Sequence, residues 1–139
     1  MQTFLPYPNF RESAQCLDYK RLGKQRVEAF QILNALAGKY KGWVNHPATL
    51  MWRGYEKALA VYHNVVIREW VRRGYRNSMP YFAIAGKAIM PWWLGIDDLH
   101  ASHRSNLLLK DLEYYSQFNW AEPATLPYWW PVQPITKVG

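Results

Sequence analysis

One carboxylate stands among bases in the first third of the chain: Glu28 follows Arg21, Lys24 and Gln25. At roughly 100° per residue these side chains share one strip of a helix with Asp18 and Gln31. Two readings are open. As a solvated face, the Lys24 and Glu28 pair would add only a few tenths of a kcal/mol, roughly, to the helix. As a groove, the strip is poor for simply gripping a polyanion but suited to moving protons beside a phosphate backbone. Arg26 falls toward the apolar arc of the same helix, where an arginine must be paired, capped by carbonyls or extended past the core edge. His100 and His103 lie one turn apart with Arg104 adjacent. They could supply two metal ligands, but no third is evident and Cys16 is the single cysteine, so no metal or other cofactor is expected. The pair reads equally as part of a nucleic-acid surface with Arg104, Asn106 and Lys110, or as satisfied helix groups. His46, before Pro47, reads as a helix-start residue that bonds locally, and His63 as structural. Arg68, Arg72, Arg73 and Arg76 form a basic helix end, either a solvated terminus or a phosphate clamp.

The charge of the whole chain bears on its partners. Seventeen Lys and Arg against ten Asp and Glu give +7 and a pI near 9.6, a field that draws polyanions and places nucleic acid first among partners. With 139 residues, half of them apolar and 17% aromatic, one independently folding domain over 1–139 is expected. Short, charge-interrupted apolar stretches and the prolines at positions 6 and 8 argue against a membrane span or a signal peptide, and the lone cysteine fits a reducing cytoplasm.

The elements that must position these groups are helices. Residues 1–10 (MQTFLPYPNF) lack a period and read as an extended arm ordered by its rings. A first helix is expected from Arg11 to Ala37, with Asn9 or Ser13 as cap and Gly38 as stop. A second runs from Pro47 to Arg73 before Gly74, and a third from a cap at Asp97 or Asp98 to about Phe118. On the first helix, Tyr19, Leu22, Gly23, Ala29, Phe30 and Leu33 form the core-facing arc. Residues 75–96 mix turn formers with short apolar pieces, with a short helix expected around Phe82 to Ala88. The fold class is therefore all-α: a compact single-domain bundle of three main helices, an extended arm, and an aromatic, proline-rich tail. Eight tryptophans and ten tyrosines exceed what such a core needs. The rings near Trp92-Trp93 and Tyr128-Trp129-Trp130 either stack on an extruded base or, the favoured reading, pack as a lid from Trp120 to Pro134.

MQTFLPYPNF, CLDYKRLGKQRVEAFQIL, GWVNHPATLMW and IREWVRRGYRN together resemble the pyrimidine-dimer DNA glycosylases, the phage endonuclease V type and its bacterial relatives. The resemblance covers about the first 77 residues, most specifically at Asn45-His46-Pro47 after Gly42-Trp43 and at Arg73-Gly74-Tyr75. HASHRSNLLLKD with Tyr114-Tyr115 is similar, less distinctively, to the family's C-terminal part. It implies a helical enzyme whose N-terminal α-amine attacks the sugar C1′ of a damaged pyrimidine nucleotide, leaves an imine on base loss, and nicks the strand by β-elimination. It also implies an essential glutamate on the first long helix, with arginines beside it holding phosphates. Anchoring on Leu17-Asp18 and on Asn45-His46-Pro47 puts that glutamate at Glu28, with several extra residues between arm and helix.

By the same resemblance Arg21, Lys24 and Arg26 hold phosphates and His46 gains a site-lining role beside its helix-start reading, while His100, His103, Arg104 and Lys110 complete the expected DNA-binding set. An α-amine, with its ordinary pKa near 8, is partly neutral at pH 7. The bulk of Gln2 should leave Met1 in place, so the α-amine of Met1 is the expected nucleophile, with Lys20 and Lys24 as fallbacks. The expected protein is thus a DNA repair glycosylase and abasic-site lyase acting on damaged or modified pyrimidines in double-stranded DNA, as a monomer. The alternatives are a glycosylase redirected to hypermodified pyrimidines and a non-catalytic nucleic-acid-binding relative.

Overall fold

The computed structural model describes residues 2–132, and among them the regular structure is all helical. Six α-helices follow in order: α1 (Phe10–Cys16), α2 (Tyr19–Leu36), α3 (Pro47–Leu50), α4 (Glu56–Arg72), α5 (Asp97–Lys110) and α6 (Leu112–Tyr115), with a 3-10 turn over Ser116–Phe118. Asn9 caps α1 by accepting from the Glu12 N–H, while Ser13 is instead buried and bonded to both main-chain groups of Tyr7. Gly38 and Gly74 follow their helices with φ of +76° and +91°, a left-handed turn that costs glycine nothing. Pro47 takes the first position of α3, and His46 caps it as expected. Asp97 and Asp98 lie inside the first turn of α5, whose cap position is Ile96.

Each of the three expected helices is cut, and the cuts have tertiary causes. Leu17 and Asp18 are extended because Leu17 drops fully into the core and the Asp18 N–H donates to the Tyr115 hydroxyl at 3.0 Å. The second expected helix breaks between Met51 and Tyr55, where Gly54 takes φ +87° and Trp52 turns inward to bond Thr3. The third breaks at Asp111, whose side chain caps α6. No helix forms near Phe82 to Ala88, since the Asn64 carboxamide on α4 takes both the N–H and the C=O of Phe82, each at 2.8 Å. That clamp holds the segment extended.

The core packs α2 and α1 against α4 around Trp52, Tyr62, Leu22, Leu59 and Trp93. The buried residues of α2 are Leu22, Gln25, Ala29, Ile32 and Ala35, so the expected arc is displaced: Tyr19 is 54% exposed and Gln25 lies inside. Gly23 admits Trp70, whose ring would stand 3.1 Å from a β-carbon there. Segment 119–132 lies along α5 through Ser102, Ser105 and Asn106, which bond the backbone of Pro123, Leu126 and Trp129. Pro134, the expected end of the lid, lies outside the described residues.

Candidate active site

The arm is threaded into the protein. Gln2, Thr3, Phe4 and Leu5 are all buried, so every main-chain group there needs a partner. With no strand beside them, side chains must supply these partners. Gln25 Nε2 donates to the Gln2 carbonyl at 2.8 Å, and Gln25 Oε1 accepts from the Phe4 N–H at 2.9 Å. The Tyr62 hydroxyl lies 2.7 Å from that same Oε1 and 3.0 Å from the Phe4 carbonyl. Trp52 Nε1 donates to Thr3 Oγ1. Farther along, His103 Nδ1 accepts from the Leu5 N–H at 2.9 Å, His100 Nδ1 donates to the Leu5 carbonyl at 2.7 Å, and Arg104 Nη1 donates to the Pro6 carbonyl at 2.9 Å.

At the far end of this chain of bonds stands Glu28. Its Oε2 accepts from the Gln2 main-chain N–H at 3.2 Å and from Gln25 Nε2 at 3.3 Å. The arm and the helical carboxylate therefore meet. They meet in a groove of about 370 Å³ walled by Gln2, Phe4, Gln25 and Tyr128, with Lys20, Arg21, Lys24 and Lys110 around Glu28. Arg21 is paired to Asp18 at 3.2 Å. Burial, and then the negative charge of Glu28, push the Tyr128 hydroxyl up to about 12, which keeps it a proton donor at neutral pH. A second, more open hollow lies on the other side of the same helical strip, between Tyr19, Val27 and Trp70, and shares Lys20, Lys24 and Glu28.

The groove thus gathers Arg21, Lys24, Glu28 and Lys110, and leaves the other expected residues elsewhere. Arg26 lies 4.2 Å over the Trp70 ring and donates to Asn77 Oδ1, on the far side of α2 from the arm; burial lowers its pKa. His46 caps α3 by accepting from the Ala48 N–H, edge-on to Trp43 and Trp130, and burial lowers its pKa as well. His100 and His103 are 1% and 0% exposed, which removes them from a DNA-facing surface and makes them anchors of the arm. Arg104 is likewise occupied, by Glu122, Asp97 and Pro6. Met1 lies outside the described residues. Among the described residues no group of three or more His, Cys, Asp or Glu could hold a metal ion, and no helix is long and apolar enough to cross a membrane.

The histidine anchors have a pH consequence. Their partners require the neutral ring: His103 must leave Nδ1 bare, and His100 Nε2 must accept from the Gly95 N–H. Burial holds His103 down at about 3 and also lowers His100. Below the ordinary imidazole value near 6.5 the unfolded chain therefore binds more protons than the folded one, so stability is full above that pH and falls as pH drops toward the folded values. The midpoint of urea unfolding should be level from about pH 8 to 7 and decline from about 6.5 to 5, above the carboxylate range. A level midpoint through that window would contradict the neutral clamp.

Gln25 is the residue that the sequence reading misplaced most. Its polarity and spacing put it on the solvated strip, whereas it is 1% exposed. The one signal for it was indirect: an aperiodic, ring-rich arm that packs must satisfy its backbone with side chains from the helix beneath it. A family model described as pyrimidine dimer DNA glycosylase matches residues 1–82, a span that holds the arm, α1 to α4 and Glu28. No curated protein and no solved structure matches the chain.

Proposed function

Because the chain belongs to the pyrimidine dimer DNA glycosylase family, we propose that it cleaves a glycosidic bond of the damaged pyrimidine in duplex DNA through an imine to the α-amine of Met1, with Glu28 as its acid/base group, and then cleaves the strand. The observation that carries this reading is the bond from the Gln2 main-chain N–H to Glu28 Oε2 at 3.2 Å. Covalent geometry limits the nitrogen of the preceding residue to about 3.7 Å from that of Gln2. A free amine at position 1 would then lie within roughly 7 Å of the carboxylate, a span that a deoxyribose can bridge.

The sugar carbon is out of reach in a stacked duplex, so the target nucleotide is extruded into the groove. The neutral amine forms a bond to C1′ while the C1′–N1 bond breaks, and its surplus proton passes to the base, which in a dimer stays joined to the neighbouring pyrimidine. A further proton on O4′ opens the ring to a cationic imine, which the Glu28 carboxylate stabilises. Glu28 then takes the C2′ proton as the C3′–O bond breaks and the 3′ phosphate departs. Lys20, Arg21, Lys24 and Lys110, set around the groove, hold flanking phosphates.

The test is reductive trapping. With a duplex carrying either a pyrimidine dimer or an abasic site, borohydride should capture a covalent protein–DNA adduct. Binding without any adduct on either duplex would contradict the proposal and favour a non-catalytic relative.

A further inference from the structure

Trp43 sits in a conformation that its own side chain resists. Its φ is +66°, the left-handed region that favours glycine, and its ring is 43% exposed, so burial does not offset the strain. The loop around it is nevertheless well built. The Trp43 carbonyl accepts from the His46 N–H at 3.1 Å, and Tyr40 folds over Gly42 so closely that a β-carbon there would stand 2.7 Å from its ring. His46, fixed by its cap to α3, stands edge-on to the indole with centroids 5.4 Å apart. From His46 the rings continue to Trp130 at 5.9 Å and on to Tyr128 at 5.5 Å, and Tyr128 walls the groove that contains Glu28. Three steps of under 6 Å thus lead from Trp43 to that wall, a reach that about five nucleotides of a bound strand span. The charge here has one sign. Lys39 and Lys41 are exposed on either side of Tyr40, and no carboxylate occurs between Glu28 and Glu56. Cations alternating with exposed rings suit a strand held by its phosphates and stacked through its bases.

From this arrangement we infer that Trp43 stacks on a base face laid bare when a nucleotide leaves the helix, with Lys39 and Lys41 on the adjoining phosphates. The inference rests on the extrusion proposed above and is independent of the amine chemistry. In an intact duplex every base face is covered by its neighbours, so the indole finds nothing to stack on and only the lysines act. Extrusion uncovers the faces of the bases that flank the gap. A ring already exposed and fixed in place can cover one of them without first rearranging. The left-handed turn and the edge-on His46 supply that fixed position. The site therefore tells opened duplex from closed duplex, a distinction that the phosphate contacts of the groove do not make.

Equilibrium binding to two duplexes tests this role. One is intact, and the other carries a single tetrahydrofuran abasic analogue, which leaves a gap in the stack but cannot form an imine. Wild-type protein should prefer the gapped duplex. Trp43→Gly removes the ring and relieves the backbone, so its midpoint of urea unfolding should hold or rise while the preference falls roughly 5- to 100-fold. Trp43→Phe should retain most of the preference. A 2-aminopurine placed beside the gap should be quenched by the wild type and by Trp43→Phe, and stay bright with Trp43→Gly. An unchanged preference in Trp43→Gly, or an equal loss of affinity for both duplexes, would overturn the inference. A wild-type protein that binds the two duplexes alike would overturn the extrusion step, and this role with it.

Discussion

Glu28→Gln should lower glycosidic-bond cleavage in dimer-containing DNA by roughly 10²- to 10⁴-fold while leaving the protein folded and bound to DNA. The substitution preserves what holds the arm: a carboxamide oxygen can still accept from the Gln2 N–H, and Gln25 retains its bonds to Gln2 and Phe4. It removes the charge that stabilises the imine and the base that takes the C2′ proton. It also removes the one carboxylate from a groove that contains Lys20, Arg21, Lys24 and Lys110, so DNA affinity at low salt should stay level or rise. Single-turnover glycosidic-bond cleavage and a binding titration measure the two effects separately. Retained cleavage in Glu28→Gln would show that this carboxylate pairs with its cations and has no part in the chemistry.

An N-terminal extension should be as damaging for a different reason. One residue added before Met1 displaces the free amine by about 3.8 Å, and a misplacement of about 1 Å can already cost 10²-fold. The arm cannot slide to compensate. Its carbonyls and N–H groups from Gln2 to Pro6 are tied to Glu28, Gln25, Tyr62, His103, His100 and Arg104. Both glycosidic-bond cleavage and borohydride trapping should therefore fall at least about 10²-fold, with acetylation of the α-amine giving the same loss. DNA affinity should persist, because none of the groove's cations is altered. An extended protein that traps abasic DNA at the original rate would exclude the chain start as nucleophile.

These expectations draw on residues of unequal legibility. The strip of Glu28, Lys24 and Arg21 could be read directly, since charged side chains at spacings of three, four and seven residues share a helical face whatever the rest of the chain does. Its meaning could not be read, because the same pattern describes a solvated face. What separates the two is the arm, which comes from 26 positions away to place Gln2 on Glu28. The all-helical class followed from caps, stops and period, whereas the interruptions at Leu17-Asp18 and Asp111 did not, being made by tertiary bonds to Tyr115 or by a side chain turned back on its own backbone. Gln25 departs from its expected face, and of the two readings of His100 and His103 the structure holds the buried, hydrogen-bonded one. Polar residues on a helix look solvent-facing until a neighbouring extended segment brings buried N–H and C=O groups that only they can satisfy. The phosphate role of Arg26 rests on the resemblance alone, whereas its position on the wheel, near the apolar arc, calls for a partner at the core edge, and the Trp70 ring and Asn77 supply it.

The division of labour along the chain also follows from these bonds. The matched residues 1–82 contain the groove's Glu28 and the arm, while α5, beyond them, supplies the two histidines and the arginine that fix Leu5 and Pro6. The later helices thus bear on the groove through the position of the arm, and Lys110, at the end of α5, adds a cation to it.

The most direct measurement is peptide mapping of the borohydride-trapped adduct by mass spectrometry. The account predicts that the sugar-derived mass lies on the amine of Met1, with Lys20, Lys24 and Lys110 unmodified. A mass carried by any of those lysines, with Met1 free, would contradict it.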